Sequence, residues 1–414
     1  MKSLVPSLIF LLGSVLYFGC SQESEENRLQ SGRYRAQLDA QGQILPFEFE
    51  VAQEGEDQVI YLLNAGERLR VDELTYRNDS VIIRMHIFDA TLKGKINGKS
   101  LTGTWSKDYY DDYVLDMTAE LTEAPRFSAS ASTDGASVDG HWKVIFSSEG
   151  PENPALGEFF QTGDEVIGTF LTTTGDYRYL EGIVDGNQLK LSTFDGEHAF
   201  LFVADMDSEG NLNGNFWSGE HWHETFTATR DEEFQLPDAN SLTYLKEGYE
   251  GIEFAFPGLD GQPVSLDDPK YQDKVVLLQI FGTWCPNCMD ETKFLTSWYP
   301  EVSDQVEIIG LAYERKDDFD YAVGRINKVK ERLNVPYDFV VAGTSDKEVA
   351  SKTLPMLNKI ISFPTLIILD KERNIRRIHT GFSGPGTGEH YTEFVEDFKL
   401  FMQKLLNEPT NLAS

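Results

Sequence analysis

The sequence has 414 residues, with 36 Lys+Arg against 68 Asp+Glu, so its formal net charge is −32. A hydrophobic content of 40% is typical of folded chains, and the length is sufficient for two or three domains, each with its own core. The acidic excess argues against a nucleic-acid partner and against a polybasic membrane-binding surface, because both depend on Lys and Arg.

The N-terminus is predicted to direct export. Lys2 precedes an apolar stretch, Leu4–Gly19, which is shorter than a typical transmembrane helix and is followed by Cys20. A cysteine after a small residue resembles the cleavage box of bacterial lipoproteins, in which the cysteine is lipidated and becomes the new N-terminus. Residues 1–20 are therefore predicted to be a lipoprotein signal with a lipidated Cys20, and residues 21–30 a tether. An uncleaved anchor and a soluble secreted protein remain alternatives.

Residues 31–230 are predicted to be a duplicated antiparallel all-β region. Short alternating segments separated by Gly, Asn and Asp turns predict strands, for example over residues 58–63 and 80–88. Gly32-Arg33-Tyr34 near the start has a counterpart in Gly140-His141-Trp142. We predict β unit 1 over residues 31–122 and β unit 2 over residues 140–230. They form either two small sandwiches or barrels, or one sheet system built from both halves.

The pattern changes after a predicted linker over residues 231–251. In residues 252–414, continuous apolar runs at 274–282 and 306–313 predict strands buried on both faces. Helical patterns follow them, including an amphipathic helix over 317–333 and a helix near 345–357. Alternating strands and helices predict an α/β domain whose sheet is covered on both faces.

Two of the three cysteines, Cys285 and Cys288, are separated by two residues between a predicted strand and a predicted helix. At a helix N-terminus, unpaired backbone N–H groups stabilise a thiolate at the first cysteine, and the second cysteine lies one turn behind. A zinc site needs two further ligands that the sequence does not supply, and so short a disulfide loop would stabilise the fold little. The pattern favours redox chemistry without a metal or another cofactor.

Residues 252–410 resemble the TlpA/ResA-type thiol–disulfide oxidoreductases, thioredoxin-superfamily proteins of the bacterial envelope. The resemblance is carried by the segment Trp284-Cys285-Pro286-Asn287-Cys288 and by Ser362-Phe363-Pro364-Thr365 before a strand. It implies a thioredoxin-like fold with an added helix–strand insertion. The lipoprotein-like start and the β-rich N-terminal region are similar to TlpA-like proteins of Bacteroidetes-type bacteria.

The resemblance also implies roles for single residues. Cys285 attacks a disulfide, Cys288 resolves the mixed disulfide, and Pro364 corresponds to the cis-proline beside the cysteines. Glu291, on the helix face of Cys288, corresponds to a buried glutamate that exchanges protons with the cysteines; a solvated surface charge is the alternative. Gln279 stands where thioredoxin itself has a buried aspartate. The residues expected to contact the substrate are Trp284, Pro286, Asn287 and Phe363.

The leading hypothesis is an enzyme of the bacterial cell envelope, lipid-anchored and facing the periplasm, that reduces protein disulfides. The resemblance implies cysteine-containing envelope proteins as substrates and a membrane thiol-donor protein that reduces the oxidised cysteine pair. One alternative is a ligand- or partner-binding lipoprotein whose β region is the main functional part. Another is a thiol peroxidase, which is disfavoured because Thr283 lies only two residues before Cys285.

Overall fold

The computed structural model describes residues 27–85, 87–130, 135–147 and 153–409. These residues form two antiparallel β units followed by an α/β unit. Cys20 and the predicted export signal lie outside the described residues. Within the described ranges, no helix combines the length and apolar character needed to cross a bilayer.

The first β unit is a meander in which each strand pairs with the next, except β4 with β5. Its strands are β1 Gly32–Ala40, β2 Gln43–Glu54, β3 Asp57–Asn64, β4 Glu67–Val71, β5 Glu73–Arg77, β6 Ser80–Arg84, β7 Ala90–Asn97, β8 Ser100–Lys107 and β9 Val114–Leu121. They are ordered β4-β3-β2-β1-β9-β8-β7-β6-β5. The last strand therefore returns to the first, and Tyr34 lies opposite Leu121.

The second β unit repeats this plan and closes into a barrel. Its strands are β10 Gly140–Ser147, β11 Asn153–Thr162, β12 Glu165–Thr172, β13 Gly175–Asp176, β14 Leu180–Asp185, β15 Gln188–Phe194, β16 Ala199–Met206, β17 Leu212–Ser218 and β18 Trp222–Arg230. Here β18 returns to β10, with Trp142 opposite Arg230, and the pairing of β11 with β12 closes the ring.

The predicted duplicated antiparallel region is thus confirmed, and each half forms a nine-stranded sheet of its own. Tyr34 and Trp142, the counterparts noted in the sequence, are both buried in the cores of their units. The two units nevertheless share apolar packing, because Phe194 and Leu201 of the second unit lie in the core of the first.

The α/β unit is built on a five-stranded sheet in the order β23-β22-β21-β24-β25. Its strands, with the preceding hairpin β19–β20, are β19 Ala255–Pro257, β20 Pro263–Ser265, β21 Val275–Phe281, β22 Val306–Glu314, β23 Asp338–Thr344, β24 Thr365–Leu369 and β25 Ile375–Thr380. The helices are α1 Ala239–Leu242, α2 Pro286–Trp298, α3 Phe319–Leu333, α4 Lys347–Thr353 and α5 Glu389–Leu406. Every residue of β21 and β22 is buried, as the apolar runs predicted. This layout agrees with the thioredoxin-like fold that the resemblance implies.

Two predicted elements are shorter in the structure. The strand predicted over residues 80–88 ends at Arg84, because Ile87 beyond it packs into the core of the α/β unit. The helix predicted near 345–357 is confined to Lys347–Thr353. It begins where the Asp346 side chain accepts the backbone N–H of Val349, and it ends before Pro355, which disfavours a helical conformation at the preceding residue.

Helix α3 docks on the first β unit. Arg332 binds Asp72 at 2.9 Å and Glu73 at 2.6 Å, and the Tyr321 hydroxyl donates a hydrogen bond to Asp89. Together with Ile87, these contacts join the β region to the α/β unit. The second β unit lies against the segment that carries the cysteines, through the contacts of Asp176 with Asn287 and of Arg178 with Asp290.

Candidate active site

The two cysteines lie at the start of α2 in different environments. Cys285 is the N-cap residue, and its Sγ accepts the backbone N–H of Cys288 at 3.2 Å, which stabilises negative charge on this sulfur. The side chain of Cys285 is 6% exposed, whereas that of Cys288 is fully buried. Burial raises the pKa of the Cys288 thiol, and its hydrogen bond with Cys285 adds to the effect. The geometry therefore favours Cys285 as the attacking sulfur.

The proline loop faces these cysteines. The peptide bond between Phe363 and Pro364 is cis, and the Phe363 carbonyl accepts a hydrogen bond from Cys285 Sγ at 3.3 Å. The Phe363 ring meets Trp284 edge-on with centroids 5.5 Å apart. The Trp284 ring is fixed in turn, since its Nε1 donates to the Tyr313 carbonyl at 2.8 Å and the Arg315 guanidinium lies 3.8 Å from its centroid.

Glu291 is fully buried behind the cysteines, on the same helix. Burial raises its pKa to about 8, while a 2.9 Å hydrogen bond from Gln279 Nε2 to its Oε2 opposes that rise. Its Oε1 has no hydrogen-bond partner among the described residues. The charge of Glu291 also contributes to the raised pKa of Cys288, so the two groups are within electrostatic reach. A carboxyl group that titrates near neutral pH beside a buried thiol can accept and return its proton.

Asn287, between the cysteines, is held by the second β unit. Its Nδ2 donates to Asp176 Oδ2 at 3.1 Å and to the Phe382 carbonyl at 3.2 Å. The same Asp176 oxygen accepts the backbone N–H of Gly384 at 2.7 Å. Burial raises the pKa of Asp176 to about 6, against a lowering by Arg178. The sequence motif alone does not reveal this contact.

Arg178, two residues after Asp176, forms a buried charge cluster next to α2. It pairs with Asp290 of α2, with Glu67 of the first β unit at 2.5 Å and with Asp195 at 3.3 Å. All four side chains are mostly excluded from solvent. Sequence reasoning missed Asp176 and Arg178, and the sequence contains no motif that relates them to residues more than 100 positions away.

One relative decides the family. The thiol–disulfide oxidoreductase ResA of Bacillus thuringiensis subsp. konkukian is 31% identical over 155 residues, covering 37% of this chain and 78% of that protein. The chain belongs to the ResA-type thiol–disulfide oxidoreductases. A sequence model of the AhpC/TSA family matches residues 248–378. The thioredoxin-like protein YneN of Bacillus subtilis is 26% identical over 33% of this chain and 73% of its own length.

A solved structure of a thiol:disulfide interchange protein of the thioredoxin family from Chlorobium tepidum aligns with 39% of this chain and 99% of its own, at 16% identity and a TM-score of 0.30. Membership of the ResA-type family favours disulfide exchange over the binding-lipoprotein and peroxidase alternatives. The residues that the AhpC/TSA family model matches, 248–378, include both cysteines and exclude the two β units.

The structure brings together all the candidate residues of this ResA-type unit. Around Cys285 lie Trp284, Pro286, Asn287 and Phe363, which line one cavity with it. Cys288 and Glu291 lie behind them in the interior. Within the described ranges, no group of three or more His, Cys, Asp or Glu residues is arranged to hold a metal ion.

Proposed function

We propose that this chain reduces disulfide bonds of exported proteins by dithiol exchange through Cys285 and Cys288. The observation that carries the proposal is the Cys285 sulfur at the N-terminus of α2, hydrogen-bonded to the Cys288 N–H and adjacent to the cis-proline loop. In the first step the Cys285 thiolate attacks one sulfur of the substrate disulfide. A Cys285–substrate disulfide forms, and the other substrate sulfur leaves as a thiolate that takes up a proton.

In the second step Cys288 releases the substrate. Its thiol loses a proton to the ionised form of Glu291, and the resulting thiolate attacks the Cys285 sulfur, forming the Cys285–Cys288 disulfide. The second substrate sulfur leaves as a thiolate and is protonated. The substrate has then gained two electrons, and the cysteine pair has lost two. Gln279 is a positioning residue in this step, because its amide holds Glu291 by the hydrogen bond described above.

The proposal includes a place in the cell and two partners. The apolar stretch ending at Cys20 supports a lipid-anchored protein of the bacterial envelope that faces the periplasm. Its substrates are cysteine-containing envelope proteins, and a membrane thiol-donor protein returns two electrons to the oxidised pair.

Insulin reduction tests the proposal. Purified protein supplied with a chemical dithiol is expected to accelerate cleavage of the insulin interchain disulfides, measured as turbidity from the released B chain. Cys285→Ser removes the nucleophile and is expected to abolish the acceleration. Cys288→Ala is expected to accumulate a mixed disulfide between Cys285 and insulin, detected by mass spectrometry.

Ser303→Ala is the matched control, because Ser303 is exposed and lies outside the cavity that contains Cys285. It is expected to retain the wild-type rate. Insulin cleavage that continues unchanged in Cys285→Ser would show that this sulfur is not the nucleophile.

A further inference from the structure

Cys285 lies in a cavity that two parts of the molecule enclose. The cavity has a volume of about 280 Å³. Trp284, Phe363 and Lys347 of the α/β unit line one side. The second β unit lines the other with the turn 172–177 and with His198 and Phe200. A substrate that reaches this sulfur therefore contacts the β unit as well as the redox motif.

The β-unit side of the cavity is packed closely against the redox motif. The Ser362 hydroxyl, one residue before Phe363, donates to the Thr174 carbonyl at 2.6 Å. Gly175 has φ of +144°, and a Cβ placed there would lie 2.8 Å from Asn287 Nδ2. At the facing Gly381, a Cβ would lie 3.0 Å from the Thr174 carbonyl carbon. Backbone approaches this close require glycine, so the turn is a fixed part of the site.

The cavity is aromatic on both sides. On the β unit, the Phe200 ring stacks on His198 with centroids 4.5 Å apart and packs against Tyr177 at 5.4 Å. His198 is held in place because its backbone N–H donates to the buried Asp195 carboxylate at 2.6 Å. Trp284 and Phe363 form the opposite side. Both walls therefore offer apolar surface to a group that enters next to Cys285.

We propose that the second β unit selects the substrate of the redox site, through a wall formed by the turn 172–177, His198 and Phe200. This inference rests on the proposed disulfide reductase function. The preferred substrate is an extended cysteine-containing segment with an apolar side chain next to its cysteine. A volume of 280 Å³ is at the lower limit of ordinary ligand pockets and fits a short segment. Such a segment can run along the backbone at Phe363, as an added strand does at a sheet edge, with its apolar side chain between the aromatic walls.

Two short peptides, each a disulfide-linked dimer, test the selection. In one peptide leucine flanks the cysteine on both sides, and in the other serine does. The purified reduced protein is mixed with each in a single-turnover reaction, and the second-order rate constant of disulfide reduction is measured for wild type, His198→Ala and Phe200→Ala. Phe160→Ala is the matched control, because this phenylalanine belongs to the same β unit but is 57% exposed and outside the cavity.

Wild type and Phe160→Ala are expected to favour the leucine peptide by about tenfold, since burial of one apolar side chain supports a factor of that size. His198→Ala and Phe200→Ala are expected to reduce the preference to about twofold or less, mainly because the leucine peptide is reduced more slowly. The His198 side chain is 28% exposed, so His198→Ala is expected to fold. This variant therefore still tests the proposal if Phe200→Ala does not fold.

If the protein reduces insulin but wild type reduces both peptides at equal rates, the proposed substrate selection is wrong. It is also wrong if the folded His198→Ala and Phe200→Ala variants keep the wild-type preference. Failure of wild type to reduce insulin and both peptides would instead overturn the proposed function.

Discussion

At the scale of one residue, Glu291 shows how burial raises the pKa of a carboxyl group until it titrates near neutral pH. Its pKa in the folded protein is about 8 because of burial, against a reference value of 4.5. The folded state therefore binds a proton that the unfolded state releases between these two pH values. The resulting stabilisation is fully present below pH 4.5 and is lost as the pH rises through 8.

Glu291→Gln is expected to remove this pH dependence, because the amide remains uncharged at every pH. Relative to this variant, the wild-type free energy of unfolding should fall by roughly 4–5 kcal/mol between pH 4.5 and 9, from 1.36 kcal/mol per pKa unit. Chemical denaturation of both reduced proteins at several pH values measures the difference. Glu301→Gln, at an exposed position near the same helix, is expected to follow the wild-type curve. If the difference in free energy of unfolding between wild type and Glu291→Gln stays constant from pH 4.5 to 9, the raised pKa of Glu291 is contradicted.

At the scale of elements, Arg178 connects a turn of the second β unit to β4 of the first unit and to α2. It is buried among the carboxylates of Glu67, Asp195 and Asp290. A guanidinium surrounded in this way compensates the cost of removing the carboxylates from water. The same cluster fixes the turn that lines the active-site cavity, so stability and site geometry depend on one side chain.

Arg178→Met is expected to lower the free energy of unfolding at pH 7 by about 3–5 kcal/mol, because it leaves buried carboxylates without their cation. Urea denaturation followed by fluorescence measures the loss. Arg68→Met is the control: Arg68 pairs with Glu50, but both side chains are well exposed, and the unfolding midpoint should stay at the wild-type value. Equal midpoints for all three proteins would contradict a stabilising role for the Arg178 cluster.

The same elements show what sequence reasoning can predict. The placement of Cys285, Cys288 and Glu291 at the start of one helix follows from their spacing, which the sequence displays directly, whereas the roles expected of them are implied by the family resemblance. The continuous apolar run predicts β21 for a similar reason, since burial on both faces leaves a local pattern. By contrast, Asp176 meets Asn287 across 111 positions. That contact depends on how a β barrel docks on an α/β unit, and neither the local hydrophobic periodicity nor a sequence motif predicts it.

At the scale of the whole molecule, the β region and the α/β unit are joined by contacts of different kinds. Ion pairs of Arg332 with Asp72 and Glu73 are partly exposed, and salt weakens such pairs. The Arg178 cluster and the packing of Ile87 are buried, and salt affects these contacts much less. Residues 247–250 of the connecting segment are exposed, so a cut within them leaves these contacts in place.

Cleavage of that segment is therefore expected to leave the molecule in one piece. A specific protease site inserted between Glu247 and Gly248 allows the chain to be cut, and a denaturing gel verifies the cut. The cut protein should elute from a size-exclusion column at the volume of the intact protein, in 0.15 M and in 1 M NaCl, because the buried contacts persist when exposed ion pairs are screened. Adding Arg178→Met to the cut protein should promote separation. Two separate peaks from the cut protein without that substitution would mean that the β region is held beside the cysteines by the connecting segment alone, and that the active-site wall forms only transiently.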